Sequence, residues 1–148
     1  MHTIRLREPW QREWTQATRS ADGTQLARYH RYFHRPSGLL DQQPVILVLH
    51  GRRLVTSTAP LRHGSTPSLN LHSLLLNSQP LQVDVHVDNS TQVTHLSAHI
   101  DSVLKPYNQL EILCEFPDHQ PPIGNDSQSV DLPPPLADWA EVRIEIHD

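Results

Sequence analysis

Across residues 74 to 116, LLLNSQPLQVDVHVDNSTQVTHLSAHIDSVLKPYNQLEILCEF, apolar side chains recur at every second position through three successive runs. A period of two is that of a β-strand, whose side chains point alternately to opposite faces. In the first run Leu81, Val83, Val85 and Val87 share one face and Gln82, Asp84, His86 and Asp88 the other. In the second, Leu96, Ala98 and Ile100 alternate with His95, Ser97 and His99; in the third, Leu110, Ile112, Cys114 and Phe116 alternate with Gln109, Glu111 and Glu115. Only Leu113 departs from the pattern. Each run reads as an antiparallel strand with one face on a core and one in water.

The rest of the chain reads the same way. A strand is expected near residues 14–18, then Asp22-Gly23, which offers the positive-φ positions of a tight turn. Residues 24–35, TQLARYHRYFHR, form the next strand, closed by Pro36. Leu26, Arg28, His30, Tyr32 and His34 share one of its faces, and Ala27, Tyr29, Arg31 and Phe33 the other. The continuous apolar run Val45-Ile46-Leu47-Val48-Leu49 reads as a central strand covered on both faces. Residues 51–68 are a loop holding a short strand near 54–56, and 69–76 is a strand that turns at Asn77-Ser78 into the Val83 strand. Asp101-Ser102 is positioned to cap one helical turn through Val103-Leu104-Lys105, stopped by Pro106. A proline-rich loop at about 117–136 precedes a last strand in which Val142, Ile144 and Ile146 alternate with Glu141, Arg143, Glu145 and His147. Short strands, turn signals and thirteen prolines give an all-β chain, an antiparallel β-sandwich with jelly-roll topology, as a single domain over residues 1–148.

Composition narrows the functional classes. The one cysteine, Cys114, has no intrachain partner, so no disulfide framework exists, and its inward position makes it a core residue rather than a nucleophile. No run approaches the ~18 apolar residues of a membrane span, and MHTIRLREPWQREW lacks the apolar centre of a signal peptide. A soluble, cytoplasmic protein with no membrane partner is expected. Residues 1–62 carry ten Arg against four acids and residues 63–148 twelve acids against two bases, so the halves are +6 and −10. Without a run of like charges, this asymmetry reads as complementarity between strands rather than a nucleic-acid surface.

Four stretches carry a resemblance. Residues 27–36, ARYHRYFHRP, resemble a Trp-Tyr-Arg-Arg-x-Phe-x-x-Pro strand; VILVLHG at 45–51 resembles the core strand and glycine that follow it. LLLNSQPL at 74–81 is similar to a strand-Asn-Gly hairpin, with Ser78 in place of the glycine. HIDSVLKPYNQLEI at 99–112 resembles an Asp-Ile-Thr-x-Leu-Leu-x-Pro-Gly-x-Asn segment, and 139–146 the closing strand. In this order they resemble the galactose-binding-domain-like jelly roll at the N-terminus of family 2 glycoside hydrolases. The Gly-Gly-Tyr-Thr-Pro-Phe stretch of that family is missing before Asp101. Its catalytic glutamates belong to a separate barrel, so the resemblance implies a sandwich that binds carbohydrate or protein and does not hydrolyse.

Residue spacing leaves little chemistry. His95 and His99, and likewise His30 and His34, are four apart, which on a strand is about 13 Å and too far for one ion. Asp84, His86 and Asp88 are closer, yet a metal there needs a ligand from another segment; the plainer reading is a solvated face, and no metal or cofactor is expected. Glu111 and Glu115 are also about 13 Å apart, beyond the ~5–9.5 Å of glycosidase carboxylate pairs. No Gly-x-Ser-x-Gly elbow or dinucleotide fingerprint is present, so the chain is read as no enzyme. Sugar binding by a sandwich needs an aromatic face beside convergent polar groups, and the candidates are Trp10, Trp14, Tyr107 and Trp139. Each also has a structural reading as cover for the sandwich end, a turn residue or a strand anchor. The expectation is a non-catalytic module for a carbohydrate or glycan-like ligand. Alternatives are a protein interaction or assembly domain, including a homo-oligomer, and an accessory domain to a separate enzyme.

Overall fold

The computed structural model describes residues 1–19, 25–52, 54–56, 69–116 and 132–148. The Asp22-Gly23 turn, most of the 51–68 loop and the 117–131 part of the proline-rich loop lie outside these residues. The described strands are β1 (His2–Arg5), β2 (Gln11–Arg19), β3 (Gln25–His34), β4 (Val45–Gly51), β5 (Leu54–Thr56) and β6 (Leu69–Leu76). They continue as β7 (Gln79–Pro80), β8 (Asp84–Asp88), β9 (Val93–His99), β10 (Tyr107–Phe116) and β11 (Glu141–Ile146). Among the described residues no helix is long and apolar enough to cross a membrane.

Two sheets pack as a sandwich. The first runs β1-β11-β4-β9-β8, antiparallel throughout. The second runs β2-β3-β10-β6-β5, with β7 on the same edge of β6 as β5. Its pairs are antiparallel except β5 with β6, which run parallel. The chain passes from sheet to sheet at β1–β2, β3–β4, β4–β5, β7–β8, β9–β10 and β10–β11, the interleaved order of a jelly roll.

The period-two reading places the core correctly on the inner strands. Val45, Leu47 and Leu49 of β4, Leu96 and Ala98 of β9, Leu110, Ile112, Cys114 and Phe116 of β10, and Val142, Ile144 and Ile146 of β11 are all buried. On β3 Ala27, Tyr29 and Phe33 face inward, and the Tyr29 hydroxyl donates to the Pro134 carbonyl at 2.7 Å. Leu113 lies on the half-buried outer face of β10, whose alternation continues unbroken; the register shift beside it belongs to β6, where His72 is the extra residue of a bulge.

Several expectations are corrected. The run from Leu81 to Val87 is not one half-buried strand. Asn77-Ser78 returns β6 only into the short β7, and the chain then crosses to the first sheet as its edge strand β8. Among the described strands none lies beyond β8, and Val85 and Val87 are exposed at 44% and 39%. The segment after Ile100 makes one isolated turn, closed by Val103 and Leu104 N–H groups that both donate to the Ile100 carbonyl, and it lies at residues 101–103, earlier than the 103–105 expected. β1, which holds a single aliphatic residue, Ile4, is an additional strand defined by its partner β11. On β4 the outward Val48 is buried but Ile46 is only half-buried, so cover on that face is uneven.

Two backbone positions impose opposite demands. Asn77 and Ser78 have φ of 53° and 66°, the left-handed pair of a two-residue hairpin turn, and a serine there carries a steric cost that glycine does not. Gly51 has an ordinary φ, but a Cβ there would lie 2.0 Å from the Trp139 carbonyl oxygen. Ser78→Gly is therefore expected to stabilise the fold by about 0.5–1 kcal/mol. Gly51→Ala is expected to destabilise it by about 2–3 kcal/mol through overpacking. Urea denaturation of the two variants checks both signs; a neutral Gly51→Ala would refute the close approach.

Candidate functional site

The close approach at Gly51 adjoins an open concave feature. Residues Leu136–Asp138 make one 3₁₀ turn, closed by Trp139 and Ala140 N–H groups that both donate to the Leu136 carbonyl at 2.9 Å. This turn sets the Trp139 carbonyl against Gly51 at the end of β4. Between the two segments lies a cleft of about 720 Å³ lined by His50, Gly51, Arg52, Val93 and residues 137–141. Trp139 is half-buried, Arg52 and Asp138 are exposed, and Glu141 begins β11. A second cleft, about 380 Å³, adjoins it through Ala137, Ala140 and Glu141 and reaches Trp10 and Arg7. Glu8 fixes that junction, accepting the Trp10 N–H at 2.8 Å and the Ala137 N–H at 3.2 Å.

The four candidate aromatics do not converge. Trp10 is 6% exposed, and its Nε1 donates to the Leu6 carbonyl at 3.2 Å. Trp14 and Trp139 both meet Phe116 edge to face, with ring centres 5.5 and 5.6 Å apart, so they form an aromatic cap on the core. Tyr107 stands at the other end of β10, roughly 30 Å from Phe116 at strand rise. It stacks on Tyr32 at 5.4 Å with planes 5° apart, and His34 lies beside it at 5.1 Å. Tyr32 and Tyr107 are 46% and 55% exposed, an aromatic stripe on the outer face of the second sheet. Of the four, Trp139 alone lines the larger cleft, and Trp10 the smaller.

The outer face of the first sheet carries a row invisible along the chain. Glu141 is opposite His50, His50 opposite His95, and His95 opposite His86, across β11, β4, β9 and β8. The rings of His50 and His95 stack with centres 5.6 Å apart. Arg143 donates from Nη1 to His50 Nδ1 at 3.0 Å, while its Nε contacts Glu145 at 2.8 Å. Burial and then the Arg143 charge hold the His50 imidazole below its ordinary value of 6.5, so the neutral ring is favoured. The Arg143 partner, with His147 alongside, keeps Glu145 ionised to lower pH than usual although burial opposes it.

Two further groups that sequence reading weighed for chemistry have structural surroundings. Cys114 is fully buried and burial pushes its thiol far up, which leaves no thiolate for attack. Glu111 is held by Arg28 Nε at 2.6 Å, an ion pair on a strand face rather than half of a carboxylate pair. Among the described residues no group of three His, Cys, Asp or Glu side chains converges on one point. No protein-family model matches the chain, and no curated protein or solved structure matches it. Sequence reading reached Trp139 but missed Gly51, Arg52, Asp138 and His50. Their only signal was that Gly51 ends an apolar run, where a backbone approach is common.

His50 makes the site and the fold sensitive to acid. Its folded value lies below its unfolded one, so the unfolded chain binds this proton more readily and stability falls as pH drops through 6.5. Between about pH 7 and pH 5, His50→Gln is expected to lose less stability than the parent chain. Urea midpoints at both pH values measure this; identical slopes for the two proteins would exclude the effect.

Proposed function

We propose that this chain is a non-catalytic binding module that takes a carbohydrate or glycan-like ligand in the cleft between β4 and the 137–141 segment. The observation that carries this reading is the placement of Trp139 with His50, Arg52, Asp138 and Glu141 around one concave site. An indole offers a flat apolar surface to sugar C–H groups, while a mixed set of donors and acceptors matches their hydroxyls. The resemblance of residues 10–146 to the galactose-binding-domain-like jelly roll of family 2 glycoside hydrolases supports the same class of ligand. A second reading, assembly through protein contacts, is favoured by the exposed Tyr32–Tyr107 stack, since tyrosines are common at interface centres.

Glycan-array screening and light scattering on one sample separate the two. Arg52 and Asp138 are exposed, so Arg52→Ala and Asp138→Ala keep the fold. Each is expected to weaken the glycan signal at least about tenfold, the loss of one hydrogen bond to a charged group. No signal on any glycan, together with a stable dimer that Tyr107→Ala dissociates, would replace the first reading with the second.

A further inference from the structure

The histidine row on the first sheet runs outward from the cleft, and its three rings are not equivalent. His50 is committed, because Arg143 can only donate and occupies the Nδ1 lone pair, so the other nitrogen of the neutral ring carries the proton. His86 and His95 differ: among the described residues neither ring has a hydrogen bond or ion pair, and their neighbours are other rings. Each therefore keeps an unused nitrogen lone pair.

Their placement on facing strands brings two imidazoles within reach of one another without converging them. Residues directly opposite in antiparallel strands hold their Cβ atoms about 4.5–5.5 Å apart, close enough for two imidazoles to reach one ion. Bound to a common ion at N–metal distances of ~2.0–2.1 Å, two rings have centres roughly 5 Å apart. The His86 and His95 centres lie 6.4 Å apart with planes at 36°, so the rings are not yet convergent. Rotation about the side-chain torsions closes that difference without moving the strands, and His86 is exposed and free to make it.

A third donor stands beside them. Asp84 precedes His86 by two residues on the same face, about 6.7 Å along the strand. It is exposed and enters no ion pair or hydrogen bond among the described residues. Asp88, on the other flank, is spent: its Oδ1 accepts from Ser90 N at 2.9 Å, Ser90 Oγ at 2.7 Å and Thr91 N at 3.4 Å. Those bonds hold its carboxyl down at about 2.

We propose that His86 and His95, with Asp84 as the oxygen donor, bind a late first-row divalent ion such as Zn²⁺, Ni²⁺ or Cu²⁺ on the β8–β9 ribbon. Water fills the remaining positions, which face solvent. Imidazole donors select these ions over Ca²⁺ and Mg²⁺, which prefer all-oxygen shells.

Isothermal titration of Ni²⁺ or Zn²⁺ chloride into the full chain, without a polyhistidine tag, tests the site. One equivalent is expected to bind. His86→Ala and His95→Ala should each weaken it at least about tenfold, since removing even an outer partner of a metal ligand costs about that much. His50→Gln should leave affinity unchanged, and circular dichroism should be the same for all variants. On adding Zn²⁺, imidazole ¹⁵N resonances of His86 and His95 should shift while those of His50 stay in place. Uptake that survives both alanine substitutions, or none at all, would overturn the assignment.

Discussion

The sandwich is held in register by one buried amide. Asn108 is fully buried, so every polar atom of its side chain has to find a partner inside the protein. Its Oδ1 accepts from Lys105 N–H at 2.8 Å and from Asn77 Nδ2 at 3.0 Å, and its Nδ2 donates to the Lys105 carbonyl at 2.7 Å. Asn77 in turn donates to the Val103 carbonyl at 3.1 Å and accepts the Gln109 N–H at 3.0 Å. Two asparagines thus tie the β6–β7 turn, the turn after Ile100 and the start of β10 to one another. A buried group left unpaired costs about 1–3 kcal/mol, so this network tolerates few alternatives to the observed strand placement. Because β10 lies between β3 and β6, its start fixes the register of the whole second sheet.

Alternation exposed β9, β10 and β11 because each has one face on the core and one in water. It misled at Leu81 to Val87 for a physical reason: period two tells which side chains share a face, but not whether anything covers that face. On the edge strand β8 nothing among the described strands lies beyond it, and Val85 and Val87 remain exposed. β1 escaped notice because Ile4 alone gives no period, and pairing with β11 supplies what propensity does not. The site was less legible. Trp139 was visible as a rare aromatic, but its cleft adjoins a glycine at the end of β4 that meets a backbone carbonyl far along the chain. The histidine row was hidden for a similar reason, since along-strand distances separate His95 from His99 while cross-strand register brings His50, His95 and His86 side by side.

The opposite charges of the two halves meet in the fold. Arg28 of β3 contacts Glu111 of β10 at 2.6 Å, and Arg5 of β1 lies 3.6 Å from Glu141 of β11. The Arg5–Glu141 pair is exposed and adds little stability, on the order of 0–1 kcal/mol, whereas the Arg28–Glu111 pair is partly buried. Their larger effect is on specificity, since a one-residue slip in either pairing would bring the arginines to the core side and leave the carboxylates without partners.

The position of β11 governs when the domain can exist at all. It lies between β1 and β4, so both wait for a strand made after nearly everything else. On a ribosome the β2–β3 and β8–β9 ribbons can form early from nearby residues, but the first sheet stays split until residues 141–146 emerge. Non-local pairing of this kind is slow to close. A nascent chain therefore displays the inner face of β4 from the time it is made until β11 emerges, an interval in which exposed apolar strands are open to misassembly and chaperone capture.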